Sequence, residues 1–86
     1  MFYVYILENE RTHEYYTGST DDIVRRLDEH ILGRSRFTRW HKGSWKLIYS
    51  ESFETRCEAV RREREIKNKK SRRYIEKLVG QLAQLV

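Results

Sequence analysis

At 86 residues the chain can close one modest hydrophobic core and is too short for two, so a single domain over residues 1–86 is expected. Charged residues at 36% and aromatics at 13% exclude a disordered tail, and a net charge of +5 favours a polyanionic partner. The lone Cys57 excludes an intrachain disulfide and makes a reducing cytoplasmic compartment the default; His13, His30 and His41 lack the CxxC or HExxH company of a zinc site.

The opening run Phe2-Tyr3-Val4-Tyr5-Ile6-Leu7 is aromatic and β-branched without polar alternation, which predicts a central strand covered on both faces. It is far too short to span a bilayer, and no basic segment follows Met1, so neither a membrane partner nor a leader is expected. After the polar link Glu8 to Glu14, Tyr15 to Ser19 reads as a second strand, antiparallel because so short a link cannot hold a crossover. Ser19, Thr20 or Asp21 then caps a helix carrying Ile23, Val24, Leu27 and Ile31 on one stripe and ending at Gly33. Beyond a basic segment, Trp45 to Ser50 reads as a third strand. Thr55 and Glu58 form a capping box for a second helix running to about Lys67, and Ser71 caps a third with Tyr74, Ile75, Leu78, Val79 and Leu82 on its apolar face. The predicted fold is α+β: a small, mostly antiparallel three-stranded sheet covered by three helices, in the order ββαβαα.

Several polar residues fall where a plain surface would not put them. Arg26 and His30 lie on successive turns at the border of the first helix's apolar stripe, whereas Arg25 points to solvent. On the second helix Ala59, Val60, Ile66 and Cys57, with Phe53 just before it, define an apolar arc with Glu63 near its middle. An inward carboxylate must be neutralised by a cation, either a metal ion or a basic side chain such as Lys67, one turn on, or Arg56 on the same stripe. Strand alternation lets Tyr5 and Tyr16 project together across the hairpin, and Gly18 beside them permits a close approach. Each of these has an ordinary structural explanation: a packed arginine stem, a histidine on the core rim, core tyrosines and an ion pair.

Taken together and in order, these residues resemble the GIY-YIG endonucleases, the fold of the excinuclease C-subunit N-terminal domain, and most closely its small stand-alone bacterial members. The first signature reads Val4-Tyr5-Ile6, with Val4 where the signature opens on glycine, and the second Tyr16-Thr17-Gly18. Ser19-Thr20, Arg25-Arg26, His30, Phe37-Thr38 and Ala59 through Glu63 to Ile66-Lys67 follow, so the match spans about residues 2–68. The resemblance implies one Mg2+ or Mn2+ ion held by Glu63, with water and phosphate oxygens completing its shell. It further implies that Tyr5 takes a proton from the attacking water, Tyr16 organises that water, His30 assists, and Arg26 meets the charge developing on the phosphate. A tyrosine ionises near pH ~10, so that role calls for a cationic setting favouring phenolate.

Ten of the eighteen Lys and Arg residues fall in two stretches, Arg34 to Lys46 and Lys67 to Arg73. Clustering of this kind can track a phosphate backbone. Candidate nucleic-acid contacts are Arg34, Arg36, Arg39, Trp40 and Lys42 in the first and Lys69, Lys70, Arg72 and Arg73 in the second, while Phe37 and Trp45 are assigned to the core. The expected function is a metal-dependent endonuclease hydrolysing DNA, selective for structure (single strands, flaps or damaged duplex) rather than sequence, with RNA left open as a substrate. The alternatives are a nucleic-acid-binding module that keeps the fold without cutting, and a protein-interaction subunit docking through its last helix.

Overall fold

A computed structural model of the chain describes residues 1–32 and 44–84, with side chains through residue 80. Strand β1 (Phe2–Asn9) and β2 (Tyr15–Thr20) are followed by helix α1 (Ile23–Ile31), strand β3 (Trp45–Phe53), and helices α2 (Arg56–Lys69) and α3 (Arg72–Gln84). The sheet order is β2-β1-β3, antiparallel throughout. The α+β fold and the ββαβαα order are those the sequence predicts.

The unbroken apolar run of β1 has its cause in the layering. Val4, Ile6 and Leu7 are fully buried and Tyr5 is 3% exposed, because both faces of the central strand are covered. On one face Val4 and Ile6 pack with Ala59 and Ile66 of α2 and Leu78 of α3; on the other, Tyr5 and Leu7 pack with Trp45, Tyr16 and Leu27 of α1. Trp45 thus takes the core position assigned to it, whereas Phe37 lies outside the described residues. Arg62 ties this layer together, donating to Glu51 on β3 (3.0 Å) and to the Tyr74 hydroxyl on α3 (3.0 Å).

Four local expectations are corrected. Helix α1 is capped by Asp22, whose carboxylate accepts from the Arg25 amide (3.0 Å), because Ser19 and Thr20 are still part of β2. The apolar stripe of α1 is also turned from its expected bearing, with Val24 72% and Ile31 38% exposed while His30 is fully buried. The buried Tyr5 hydroxyl needs polar partners, and presenting Arg26 and His30 to it rotates the helix away from its greasiest face. Cys57 is exposed rather than part of the inward arc of α2, which is formed by Ala59 and Ile66. The capping box of α2 forms as expected, with the Thr55 hydroxyl accepting from the Glu58 amide and bonding its carboxylate, but the helix runs two residues past Lys67. Ser71 accepts from the Tyr74 amide at the start of α3 (3.2 Å), while Gly33 and the side chain of Leu82 are not described. Among the described residues no helix is long and apolar enough to cross a membrane.

The hairpin is set by a buried asparagine. Asn9 is fully buried at the end of β1, and its Oδ1 accepts from the Arg11 and Thr12 amides (2.9 and 3.0 Å), closing the turn that returns the chain into β2. Asn9→Ala strands both amides, so urea unfolding should show a loss of about 1–2 kcal/mol; a change within experimental error would mean that the turn does not depend on this side chain.

Candidate active site

The β1–β2 register places Tyr5 opposite Gly18 and Leu7 opposite Tyr16, so both tyrosines stand on the face covered by α1, their ring centroids 6.2 Å apart. Gly18 is required here by space. A β-carbon at this position would lie 2.6 Å from the Tyr5 hydroxyl, 2.8 Å from its Cζ and 3.1 Å from Cε1 of Tyr16, so only a bare α-carbon lets the phenol lie across the strand.

Helix α1 brings two further groups to the same hydroxyl. Arg26 donates from Nε to Tyr5 Oη (3.2 Å), and Nε2 of His30 lies 3.0 Å from it. The His30 ring also packs against Tyr16, with centroids 4.7 Å apart. The i, i+4 spacing of Arg26 and His30 stacks them on one side of the helix, and Glu29 fixes the arginine by accepting from its Nη1 (2.7 Å). Tyr5, Tyr16, Arg26 and His30 therefore form one cluster. Glu29 was not singled out in the sequence, although its i, i+3 spacing from Arg26 is a legible signal.

Burial governs the protonation of this cluster. It pushes the Tyr5 hydroxyl well above its ordinary pKa, and the Arg26 hydrogen bond and charge pull it back only in part, so the group is a neutral phenol. The phenolate-favouring setting implied by the resemblance is thus half present, its arginine in place but outweighed by burial. Burial and then the Arg26 charge lower His30 to about 4, leaving a neutral imidazole at pH 7. Burial also opposes the Arg26 charge, but hydrogen bonds to Tyr5 and Glu29 more than offset it and the guanidinium stays cationic.

Glu63 lies elsewhere. Helix α2 covers the Val4 and Ile6 face, and Glu63 meets the hairpin through Ser19, the residue after Gly18, whose side chain points to the opposite face from the tyrosines. The Ser19 hydroxyl donates to Oε1 (2.6 Å) and the Lys67 ammonium to Oε2 (2.5 Å), with the Glu63 side chain 18% exposed. The inward carboxylate is therefore neutralised by Lys67, while Arg56 sits 5.6 Å over the Phe2 ring. The tyrosine cluster and Glu63 occupy the two sides of edge strand β2, and a cleft of about 300 Å³ with Ser19 and Arg26 in its lining opens beside that strand. Ser19 was not singled out as a partner of Glu63, although strand alternation from Gly18 shows which face it takes.

Among the described residues no group of three His, Cys, Asp or Glu side chains could hold a metal ion. Glu63 offers one carboxylate beside the Ser19 hydroxyl, both hard oxygen donors. A Mg2+-type ion that keeps most of its water and leans on substrate phosphates fits such a set. Of the basic candidates, Arg72 stacks 4.5 Å from the Tyr15 ring and donates to the His13 carbonyl (2.7 Å), and Lys69 lies over the Tyr74 ring. Lys70 caps α2 in the left-handed region (φ 50°), and Arg73 is exposed on the first turn of α3. Arg34, Arg36, Arg39, Trp40 and Lys42 lie outside the described residues.

Two measurements check this geometry. In Gly18→Ala the Tyr5 ring must move, so stability should fall by about 1–3 kcal/mol and the His30 and Tyr5 ring resonances should shift; unmoved rings would contradict the close approach. An NMR titration should find His30 neutral until the pH nears about 4, whereas the unfolded chain takes up that proton near pH ~6.5. Because the folded pKa is depressed, the stability associated with His30 is complete above the unfolded value and declines as pH falls through this window. His30→Asn should remove that part of the pH dependence.

Three comparisons bear on identity. The model of the GIY-YIG catalytic domain matches residues 1–76. The UPF0213 protein BH0048 of Halalkalibacterium halodurans is 41% identical over 79 residues, covering 91% of this chain and 81% of its own length. The UPF0213 protein VNG_2274C of Halobacterium salinarum is 42% identical over 69 residues, covering 78% and 86%. The solution NMR structure of the UPF0213 protein BH0048 from Bacillus halodurans shares the fold with a TM-score of 0.58 at 40% identity, covering 93% of this chain and 84% of that one. With the family model matched across most of its length and the Tyr5–Gly18 hairpin in the register described, the chain belongs to the GIY-YIG catalytic-domain family, a nuclease superfamily.

Proposed function

We propose that the chain is a metal-dependent endonuclease that hydrolyses phosphodiester bonds in DNA, selecting its target by structure and acting in the reducing cytoplasm. The observation that carries this reading is the Tyr5 hydroxyl. A central strand needing only apolar bulk would be served by phenylalanine; here the buried hydroxyl is held between a guanidinium and an imidazole.

In this reading the phenol works as a relay. With His30 in the tautomer protonated on Nδ1, Nε2 accepts the proton of the Tyr5 hydroxyl while the phenolic oxygen takes one from the attacking water, so Tyr5 ends neutral and His30 ends cationic. Burial and the Arg26 charge oppose that cation, and the anionic phosphate of a bound substrate favours it. Tyr16, packed on the His30 ring, orders the water. Arg26, fixed by Glu29, meets the charge that develops on the phosphate. Glu63, oriented by Ser19, would hold a single Mg2+ or Mn2+ ion, and such an ion would supply Lewis-acid stabilisation of charge at the phosphate and the leaving oxygen. Lys69, Lys70, Arg72 and Arg73, with Arg34, Arg36, Arg39, Trp40 and Lys42, supply backbone and base contacts that carry little sequence information, which suits single-stranded, flapped or damaged DNA.

One observation favours a second reading, a module of the same fold that binds nucleic acid without cutting: Glu63 already has a cationic partner in Lys67. Incubation of purified protein with nicked, flapped and single-stranded DNA, with and without Mn2+, separates the two. The enzyme should cut only with metal, lose cleavage in Glu63→Ala and lose about 10²-fold in rate in Arg26→Ala. Salt-dependent binding with no metal-dependent cleavage favours the second reading, and cleavage that survives Glu63→Ala rejects Glu63 as the metal carboxylate.

A further inference from the structure

The two oxygens of Glu63 are held in different ways. Ser19, on a paired strand, gives Oε1 a neutral donor at 2.6 Å. Lys67, one turn further along α2, gives Oε2 an ammonium at the end of a flexible stem whose side chain is 50% exposed. A largely covered carboxylate needs a counter-charge, and within this pair Lys67 is the cation that supplies it.

We infer that Lys67 is a built-in counter-ion of Glu63, exchanged for a divalent cation when the site loads, so that this lysine sets the threshold of metal binding. The inference rests on the proposal that Glu63 is the metal carboxylate. A divalent ion and an ammonium cannot share Oε2 at contact distance, because their like charges repel strongly where water is partly excluded. The two partners of Glu63 are unequally able to leave. Ser19 is fixed by the β1–β2 ladder and, being neutral, does not oppose a cation on the other oxygen. Lys67 needs only to swing its stem, already half-exposed, into solvent. The released ammonium would stay on the wall of the groove that also includes Lys70, Arg72 and Glu14, where it adds to a net positive charge suited to a phosphate backbone. Without metal the exchange leaves no unpaired buried charge, and with metal it leaves no trapped repulsive one.

The test is a Mn2+ titration of the whole protein at low salt, following free Mn2+ by electron paramagnetic resonance, with circular dichroism to verify folding. Lys67→Met should bind Mn2+ about two- to fivefold more tightly than wild type, the range set by losing an ion pair whose cation is half-exposed, and Lys67→Arg should stay near wild type. Lys69→Met removes a charge from the same helix without touching Glu63 and should change affinity less than Lys67→Met does. Affinity in Lys67→Met no tighter than wild type, or an equal gain in Lys69→Met, overturns the counter-ion role while leaving Glu63 as a metal ligand. Mn2+ binding unchanged in Glu63→Gln, or absent from both wild type and Lys67→Met, overturns the metal-site proposal itself and the inference with it.

Discussion

A phenol hydroxyl buried in the middle of a three-stranded sheet must find hydrogen-bond partners, and much of this molecule is arranged around that requirement for Tyr5. Its register partner is a glycine, because any side chain at position 18 would occupy the space of the hydroxyl. Its donor and its imidazole neighbour come from one helix at i, i+4 spacing, which fixes how α1 lies on the sheet and leaves Val24 and Ile31 facing outward. Leu27 still reaches the core, so the stripe is turned partly outward rather than reversed. Satisfying the hydroxyl gathers Arg26, His30 and Tyr16 around Tyr5, a cluster whose geometry costs some of the hydrophobic surface that α1 could have buried.

Chemical consequences follow from the same burial. In water the hydroxyl and the imidazole would titrate near pH ~10 and ~6.5. Inside the sheet-and-helix layer the phenol is driven up and the imidazole down, so both are neutral across the physiological range and a proton can pass between them without either starting as an ion. Arg26 retains its charge because Tyr5 and Glu29 compensate for lost water, which leaves one fixed cation beside two neutral groups. The strand that carries Gly18 carries Ser19 on its other face, so a single dipeptide touches both the tyrosine cluster and the Glu63 carboxylate of α2. Edge position matters here. A central strand would be flanked by others, whereas β2 leaves a cleft open beside it with both Ser19 and Arg26 in its lining.

Much of this was legible residue by residue. The apolar run from Phe2 to Leu7 has one physical explanation, a strand with both faces covered, and β1 is that strand. The short polar link to Tyr15 dictated an antiparallel hairpin, and strand alternation put Tyr5 and Tyr16 on one face. Thr55 and Glu58 announced the start of α2, where local hydrogen bonding decides. What could not be read depends on contacts distant in sequence. The cap of α1 moved to Asp22 because β2 extends through Thr20, and Cys57 turned outward because the sheet meets α2 through Ala59 and Ile66.

The amino-acid sequence by itself determined the order of elements, the central strand, the antiparallel hairpin with Tyr5 and Tyr16 on one face, and the inward bias of Glu63, because each follows from backbone periodicity, link length and short-range capping. Periodicity gives an angle around an element's own axis and says nothing of which face of the sheet the element covers. Since both faces of β1 are apolar, that choice was open. Only the tertiary structure decided that α1 lies over the tyrosines and α2 over Val4 and Ile6, and hence that Glu63 stands across β2 from Tyr5, joined to the hairpin by a hydrogen bond between residues 44 apart in the chain. The rotation of α1 was decided there too, since a buried hydroxyl outranks an apolar stripe only once the sheet has placed it.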